Sequence, residues 1–244
     1  RRAKALAPGR LLETAAGTGI VTRQLAAQLA RGTEIVATDL NQPMLDYAIT
    51  RQRDSADGSG NGIGIEWQQA DALKLPFEDA SFDVVFCQFG AMFFPDRTAG
   101  YAEARRVLKP GGRFVFTVWD RIEDNAFADE VTSAVAEIFP QDPPRFLART
   151  PHGYHDTALI RSDLEKAGFS NVTIETRAEE SRAASPRLPA IAYCQGTPLR
   201  NEIEARGADK LESATEHAVS AIARKHGKGE VAAKIQAHII LARA

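Results

Sequence analysis

The residues of this chain whose types and spacing could do chemistry gather in its first half. Leu12-Glu13-Thr14-Ala15-Ala16-Gly17-Thr18-Gly19 joins an apolar run to an amphipathic one. Two glycines at a strand–helix junction let the backbone turn sharply and approach a ligand closely. The helix N-terminus beyond them offers unpaired N–H groups. A plain strand–helix turn would use the same residues. Asp39 follows Gly19 by 20 positions. At the end of a second strand, an acid can accept hydrogen bonds from both hydroxyls of a ribose. It could instead cap the next helix, but Asn41 fits that role equally well and leaves Asp39 freer. Two further motifs follow: Gln69-Ala70-Asp71-Ala72 ahead of Leu75-Pro76-Phe77 and Ser81-Phe82-Asp83, and Arg106-Val107-Leu108-Lys109-Pro110-Gly111-Gly112.

A titratable cluster, His152, Tyr154 and His155, lies before a helix start. One member could act as a base near neutral pH. The plainer expectation is a surface loop in which His155 or Asp156 begins the helix. His217, His226 and His238 show no metal spacing, and His238 fits an outward strand position. Cys87 and Cys194 stand far apart without a CxxC pair, which excludes a Cys-rich zinc site and disfavours a disulfide framework. No metal is expected.

Bulk composition narrows the class. The 244 residues are 44% hydrophobic and 25% charged, with a net charge of −2, ordinary for a folded domain. No basic excess points to nucleic acid. No apolar run reaches the length of a membrane span and no signal peptide is visible, so the cytoplasm is the default location. The chain opens at Arg1 without a methionine, compatible with a trimmed form of a longer protein lacking an N-terminal lid.

The elements that must position these residues alternate as βαβ units, which imply an α/β fold with a parallel sheet. Strands are expected at 10–14, 34–39, 63–69, 82–88 and 113–119. Helices are expected at 20–30, with Val21, Leu25 and Leu29 on one face and Gly32 as its closing glycine, then at 42–53 and 98–108. Asp57 to Gly62 reads as a flexible turn, and Lys109-Pro110-Gly111-Gly112 as a helix stop. Residues 127–139 read as helix and 140–151 as a proline-marked loop. Asp156 is placed to cap a helix closed by Gly168. Residues 171–177 form a sixth strand, 179–229 are largely helical, and 233–243 form a last strand with Ile235, Ala237, Ile239 and Leu241 at period two.

Taken together and in this order, the four motifs resemble the class I S-adenosylmethionine-dependent methyltransferases, particularly the broad group that includes ubiquinone and menaquinone C-methyltransferases. The resemblance is close over residues 10–120 and extends only to layout beyond. It implies a Rossmann-like seven-stranded sheet in the order 3-2-1-4-5-7-6 with the last strand antiparallel. Residues 121–155 and 179–229 then become helical insertions covering the substrate, within a single methyltransferase domain. It also implies S-adenosylmethionine as cofactor. Glu13 would help hold the methionine end, and Ala15 replaces the first of three customary glycines, with Gly17 and Gly19 retained. Asp39 would take the ribose hydroxyls and Leu40 would lie against the adenine. Asp71 would accept from the adenine amino group, the Ala72 N–H would address the ring, and the Gln88 carbonyl would meet the ammonium.

Methyl transfer from a sulfonium is an in-line displacement, so alignment carries much of the rate and a base is needed only for a protonated acceptor. Phe89, Met92, Phe93 and Phe94 after the fourth strand, and Trp119 ending the fifth, are pocket candidates for a planar or lipophilic small molecule. Each could equally be packing. Two rivals remain. A nucleotide-dependent oxidoreductase wants a third glycine where this chain has Thr22. A non-catalytic cofactor-binding relative is the other. The acceptor and the oligomeric state are not legible.

Overall fold

The computed structural model describes residues 7–54 and 63–244; the turn expected at 57–62 lies outside them. The strands are β1 (Arg10–Glu13), β2 (Glu34–Asp39), β3 (Ile65–Gln69), β4 (Phe82–Gln88), β5 (Leu108–Trp119), β6 (Ser170–Ala183) and β7 (Val231–Arg243). They form one sheet in the order β3-β2-β1-β4-β5-β7-β6. The pairs around β1, β2 and β4 are parallel. β7 runs the other way. At one end Gly111 N–H donates to Ala244 O, and at the other Asp120 N–H donates to Gln236 O. This is the strand order, with its reversed last strand, that the resemblance implied.

The helices among the described residues are α1 (Ile20–Gln28), α2 (Gln42–Asp54), α3 (Arg97–Val107), α4 (Ala126–Ile138), α5 (Phe146–Arg149), α6 (Thr157–Lys166), α7 (Arg187–Cys194), α8 (Leu199–Arg206) and α9 (Lys210–His226). The chain divides into two compact units, one of residues up to 118 with 156–175 and 239–244, the other of 119–155 with 176–238.

In the first unit, Leu25 and Leu29, four apart on the α1 side, pack with Leu11, Ile35, Val84 and Val115. Burying one such side chain contributes about 2 kcal/mol. α6 starts where Asp156 accepts from Ala158 N–H at 2.8 Å and ends where Phe169 N–H reaches Leu164 O across left-handed Gly168. The second unit rests on α4 against α9. Val131, Ala134 and Val135 meet Ala214, Ala218 and Ile222, with Ala190, Cys194 and Ile203 from α7 and α8. Alanines at the crossing let the helices approach closely.

Several expected boundaries move. α1 ends at Gln28 with Leu29 extended, so Gly32 serves a left-handed turn before β2 and does not close the helix. β3 begins at Ile65, two residues later than expected. Lys109 to Gly112 do not simply stop α3. They belong to β5 and bulge opposite Asp83, since Phe82 pairs with Leu108 and Val84 with Arg113. The loop at 140–151 holds the short α5, anchored by Glu202, which accepts from Arg145 N–H, Phe146 N–H and Arg149 Nη2. β6 continues to Ala183, so the helical stretch begins at Arg187 and not at 179.

Candidate cofactor site

The glycine loop is pinned by its neighbours before any ligand arrives. Thr14 N–H donates to Phe86 O of β4 at 2.8 Å, and Ala16 N–H to Thr38 O of β2 at 2.9 Å. Ala15 between these anchors, and Gly17 and Gly19 beyond them, take left-handed φ values of 52°, 56° and 71°. Alternation of this kind turns successive N–H groups toward one side, the geometry of anion- and ligand-binding nests. A Cβ on Gly19 would stand 2.4 Å from the Trp67 ring, so no other residue fits. A Cβ on Gly17 would meet nothing within 4 Å, which marks the open face of the loop. No side chain caps α1.

Asp39 does two things at once. Its Oδ2 accepts from Gly17 N–H and its Oδ1 from Asn41 N–H, each at 2.8 Å. Each oxygen keeps a lone pair for a further donor. Leu40 beside it is 66% exposed, unusual for an apolar side chain with nothing to cover it. The third motif reaches the same place: Ala70 N–H donates to Asp39 O and Gln69 Nε2 to Leu40 O. Asp71 uses one oxygen to hold Leu73 N–H and is otherwise exposed. Arg106 joins the third motif to the fourth, donating to Leu75 O, Phe77 O, Asp79 and Glu103.

Glu13, the last residue of β1, is only 1% exposed. Burial pushes its carboxyl up to about 7 from 4.5, with the nearby Thr22 hydroxyl pulling weakly the other way. Neither Glu13 Oε2 nor Thr22 Oγ1 completes a hydrogen bond. Buried polar atoms are seldom left so. An orphaned carboxyl oxygen beside an open left-handed loop suits a ligand that carries an ammonium, and the residues present therefore fit the methionine end of the implied cofactor. Thr22 is fully buried, where a dinucleotide loop would need the room of a glycine.

At the end of β4, half-buried Gln88 pairs with Thr117. Phe89 is left-handed, with φ 53°, and its N–H is 3.1 Å from both Thr117 O and Thr117 Oγ1. A bulky residue in that region is strained by about 1–3 kcal/mol, and nothing in the sequence signalled it. Phe93 is 52% exposed, whereas Met92 is buried. Phe94 packs so close to Gly100 that a Cβ there would come within 2.7 Å of its ring.

In the second unit, Trp119 ends β5 and its ring lies 6.1 Å from that of His152. His152 Nδ1 is 2.8 Å from Asp120 O. A carbonyl only accepts, so Nδ1 carries the proton and Nε2 the lone pair. Burial lowers the His152 pKa, against a smaller opposite pull from the Asp120 carbonyl. His152 and Tyr154 are buried, so the segment is no surface loop, although Asp156 does start α6 as expected. His155 Nδ1 is 2.9 Å from His152 O.

Sequence reasoning passed over Asp120. Its carboxylate accepts from Gln236 Nε2 at 2.6 Å and Arg121 N–H at 2.7 Å, and stands 3.2 Å from His238 Nε2. Burial alone would raise its pKa, but Gln236, Arg121 N–H and His238 outweigh it and the net direction is down. His238 is buried rather than outward, its Nδ1 2.9 Å from Thr176 Oγ1. An acid ending a strand, as with Glu13 and Asp39, was the available signal.

This arrangement fits a nucleoside-type cofactor, and comparison with known proteins gives the family. Residues 12–116 match the family described as a methyltransferase domain. A demethylmenaquinone methyltransferase of Deinococcus radiodurans is 46% identical over 115 residues, 46% of this chain and 45% of that protein. The ubiquinone/menaquinone biosynthesis C-methyltransferase UbiE of Burkholderia cenocepacia is 33% identical over 174 residues, 68% of this chain and 69% of that one. The matches thus span about half to two thirds of the relatives' own length. A solved Bacillus halodurans protein described as a candidate methyltransferase shares 22% identity with a TM-score of 0.59, over 96% of this chain and 91% of that one, a likeness of fold. The chain belongs to the class I S-adenosylmethionine-dependent methyltransferases, and S-adenosylmethionine is its cofactor.

Proposed function

We propose that this chain transfers a methyl group from S-adenosylmethionine to a small planar, lipophilic acceptor, with a quinol-type ring carbon as first choice. The observation that carries the reading is the glycine loop of a methyltransferase-family chain, with its three left-handed residues, open Gly17 and orphaned Glu13 oxygen. The relatives' names, a demethylmenaquinone methyltransferase and a ubiquinone/menaquinone C-methyltransferase, support the acceptor class.

When bound, the cofactor supplies a methyl carbon already activated on a sulfonium. The chain's part is to bind, align and manage a proton. Glu13 and the Gln88 carbonyl take the ammonium end, while Ala15, Gly17 and Gly19 let the backbone come close. Asp39 takes the ribose hydroxyls, Leu40 covers the adenine, and Asp71 with the Ala72 N–H reads its edge. Phe89 and Phe93 in the first unit, with buried Met92 beside them in sequence, and Trp119 in the second unit, are each candidates to meet the acceptor. Residues 121–155 and 187–229 carry acceptor selection. No described helix is long and apolar enough to cross a membrane. Two free buried cysteines support a cytoplasmic setting.

Methylating a quinol ring carbon exchanges C–H for C–CH3 and releases one proton, so a base is required. Among His152, Tyr154 and His155, the geometry favours His152, whose burial keeps it neutral and whose tautomer leaves Nε2 to accept. The test is methyl transfer to a reduced demethylnaphthoquinone, read by mass spectrometry beside cofactor titration. Asp39→Ala should weaken cofactor binding by about 10–100-fold. His152→Gln should lower kcat by about 100-fold or more with cofactor affinity unchanged. Cofactor binding without transfer to quinols would reject the acceptor class. An undiminished kcat in His152→Gln would remove that residue from the chemistry.

A further inference from the structure

We propose that Glu13 is a neutral carboxylic acid in the cofactor-free protein and gives up its proton when the cofactor's ammonium arrives, so that cofactor affinity is tied to pH. The inference rests on the cofactor reading of the site and adds to it a proton as an obligatory leaving partner.

Glu13 is 1% exposed and its Oε2 has no hydrogen-bond partner. Among the described residues the side chains that face it are Thr22 from α1 and Cys87 from β4, and neither is a cation. Thr38 Oγ1 of β2 donates to the Glu13 main-chain oxygen and leaves the carboxyl unsupported. Cys87 stays neutral, since burial pushes its thiol up to about 11. Among the described residues Glu13 makes no ion pair. A carboxylate stripped of water, cation and N–H donor takes a proton instead of holding its charge. Burial accordingly carries this carboxyl to about 7.

An ammonium placed against the free oxygen reverses the balance, because an opposite charge within about 4–6 Å favours ionisation. The carboxyl O–H bond then breaks, its electron pair stays on the carboxylate and the proton leaves to solvent buffer. No redox change is involved. Asp39 differs in kind, for two main-chain N–H groups already support its charge.

Isothermal titration of the full chain with S-adenosylmethionine tests this directly. At pH 6.5, runs in phosphate and in imidazole should differ in heat by the ionisation of more than about half a proton per cofactor bound. Between pH 5.5 and 7.5 the affinity should rise roughly 25-fold. Glu13→Gln, an isosteric neutral variant, should show equal heats in both buffers and a flat affinity over that range. The cofactor's own amine titrates near 8, and the variant carries the same contribution. Saturable binding with equal heats and flat affinity in the unaltered chain would overturn the inference alone. Absence of saturable heat at every pH would overturn the cofactor reading and this inference with it. Carbon-13 titration of the Glu13 carboxyl in the cofactor-free chain supplies a readout independent of binding. A midpoint near 7 supports the neutral acid, and one near 4.5 overturns it.

Discussion

Glu13 and Asp120 are two buried carboxyls at the C-terminal ends of strands, one in each unit, and they are treated oppositely. Asp120, directly after β5, accepts from Gln236 and from Arg121 N–H and faces His238, and its pKa falls despite burial. Glu13, ending β1, has the Thr22 hydroxyl nearby and an unpartnered Oε2, and burial raises its pKa. Glu13 is the more deeply buried and also lacks the donors that offset burial at Asp120, so burial and donors together decide the charge. Asp120 already has its donors, whereas Glu13 Oε2 has none, which is why we assign a ligand to the second and scaffold to the first. Breaking each should therefore have opposite signs.

The largest effect is expected from Asp120→Ala. It leaves buried His238 and half-buried Gln236 without their carboxylate partner and opens Arg121 N–H to solvent, which together cost about 3 kcal/mol. Thermal unfolding at pH 7 should fall by roughly 6–12 °C. A shift of under a few degrees would show that these groups find other partners and that Asp120 is not scaffold.

The opposite sign is expected at Glu13. Its folded pKa of about 7 lies above the ordinary 4.5. The folded state therefore binds more protons between those values, and its stability is fully present below 4.5 and lost as pH rises through 7. At about 1.4 kcal/mol per pH unit the loss approaches 3 kcal/mol. Glu13→Gln should match the unaltered chain at pH 4 and exceed it by up to about 3 kcal/mol at pH 8, measured by urea unfolding without cofactor. Equal pH profiles would mean that water or a main-chain donor reaches Glu13 after all.

How far such contrasts could be read beforehand follows from where the partners lie in the chain. β2 and β4 were legible to the residue, because Ile35-Val36-Ala37 and Val84-Val85-Phe86 are apolar runs with plain ends. The acids at strand ends were legible as acids. Whether each is satisfied was not. Asp120 is met by Gln236 and His238, over a hundred residues on, and the lack of a donor for Glu13 Oε2 is a property of three-dimensional packing. β6 was cut short at Arg177 because its second half, Ala178-Glu179-Glu180-Ser181-Arg182, lacks apolar alternation. It is an edge strand, supported partly by ion pairs such as Arg177–Glu179. Period two counted from Ile235 places His238 outward. In the strand's last part the buried positions are His238, Ile240 and Ala242. Lys109-Pro110-Gly111-Gly112 read as a stop because glycine and proline usually punctuate. Here Lys109 Nζ and Arg10 N–H both bind Asp83, the residue opposite the bulge, and the strand resumes.

The smallest effect sharpens the comparison most, because it asks whether the glycine loop is strained as well as unsatisfied. Ala15 holds φ 52°, a conformation that an L-residue adopts at about 1–2 kcal/mol. Its methyl occupies the space a Cβ on Gly90 would need, 2.4 Å from where that carbon would stand. Ala15→Gly removes the strain but gives the unfolded chain about 0.4–1 kcal/mol of extra freedom. The net expectation is a gain of about 0.5–1 kcal/mol by urea unfolding, with cofactor affinity within a factor of about three. A loss instead would mean that the methyl's packing outweighs its backbone strain, and that the loop is held by contacts as Asp120 is. Gly90→Ala separates the two cases. It should be poorly tolerated beside Ala15 and partly rescued by Ala15→Gly, with the remaining penalty set by Cys87 Sγ at 2.9 Å from the new carbon. Absence of rescue would place the crowding at Cys87 and leave Ala15 strained for a reason of backbone shape alone.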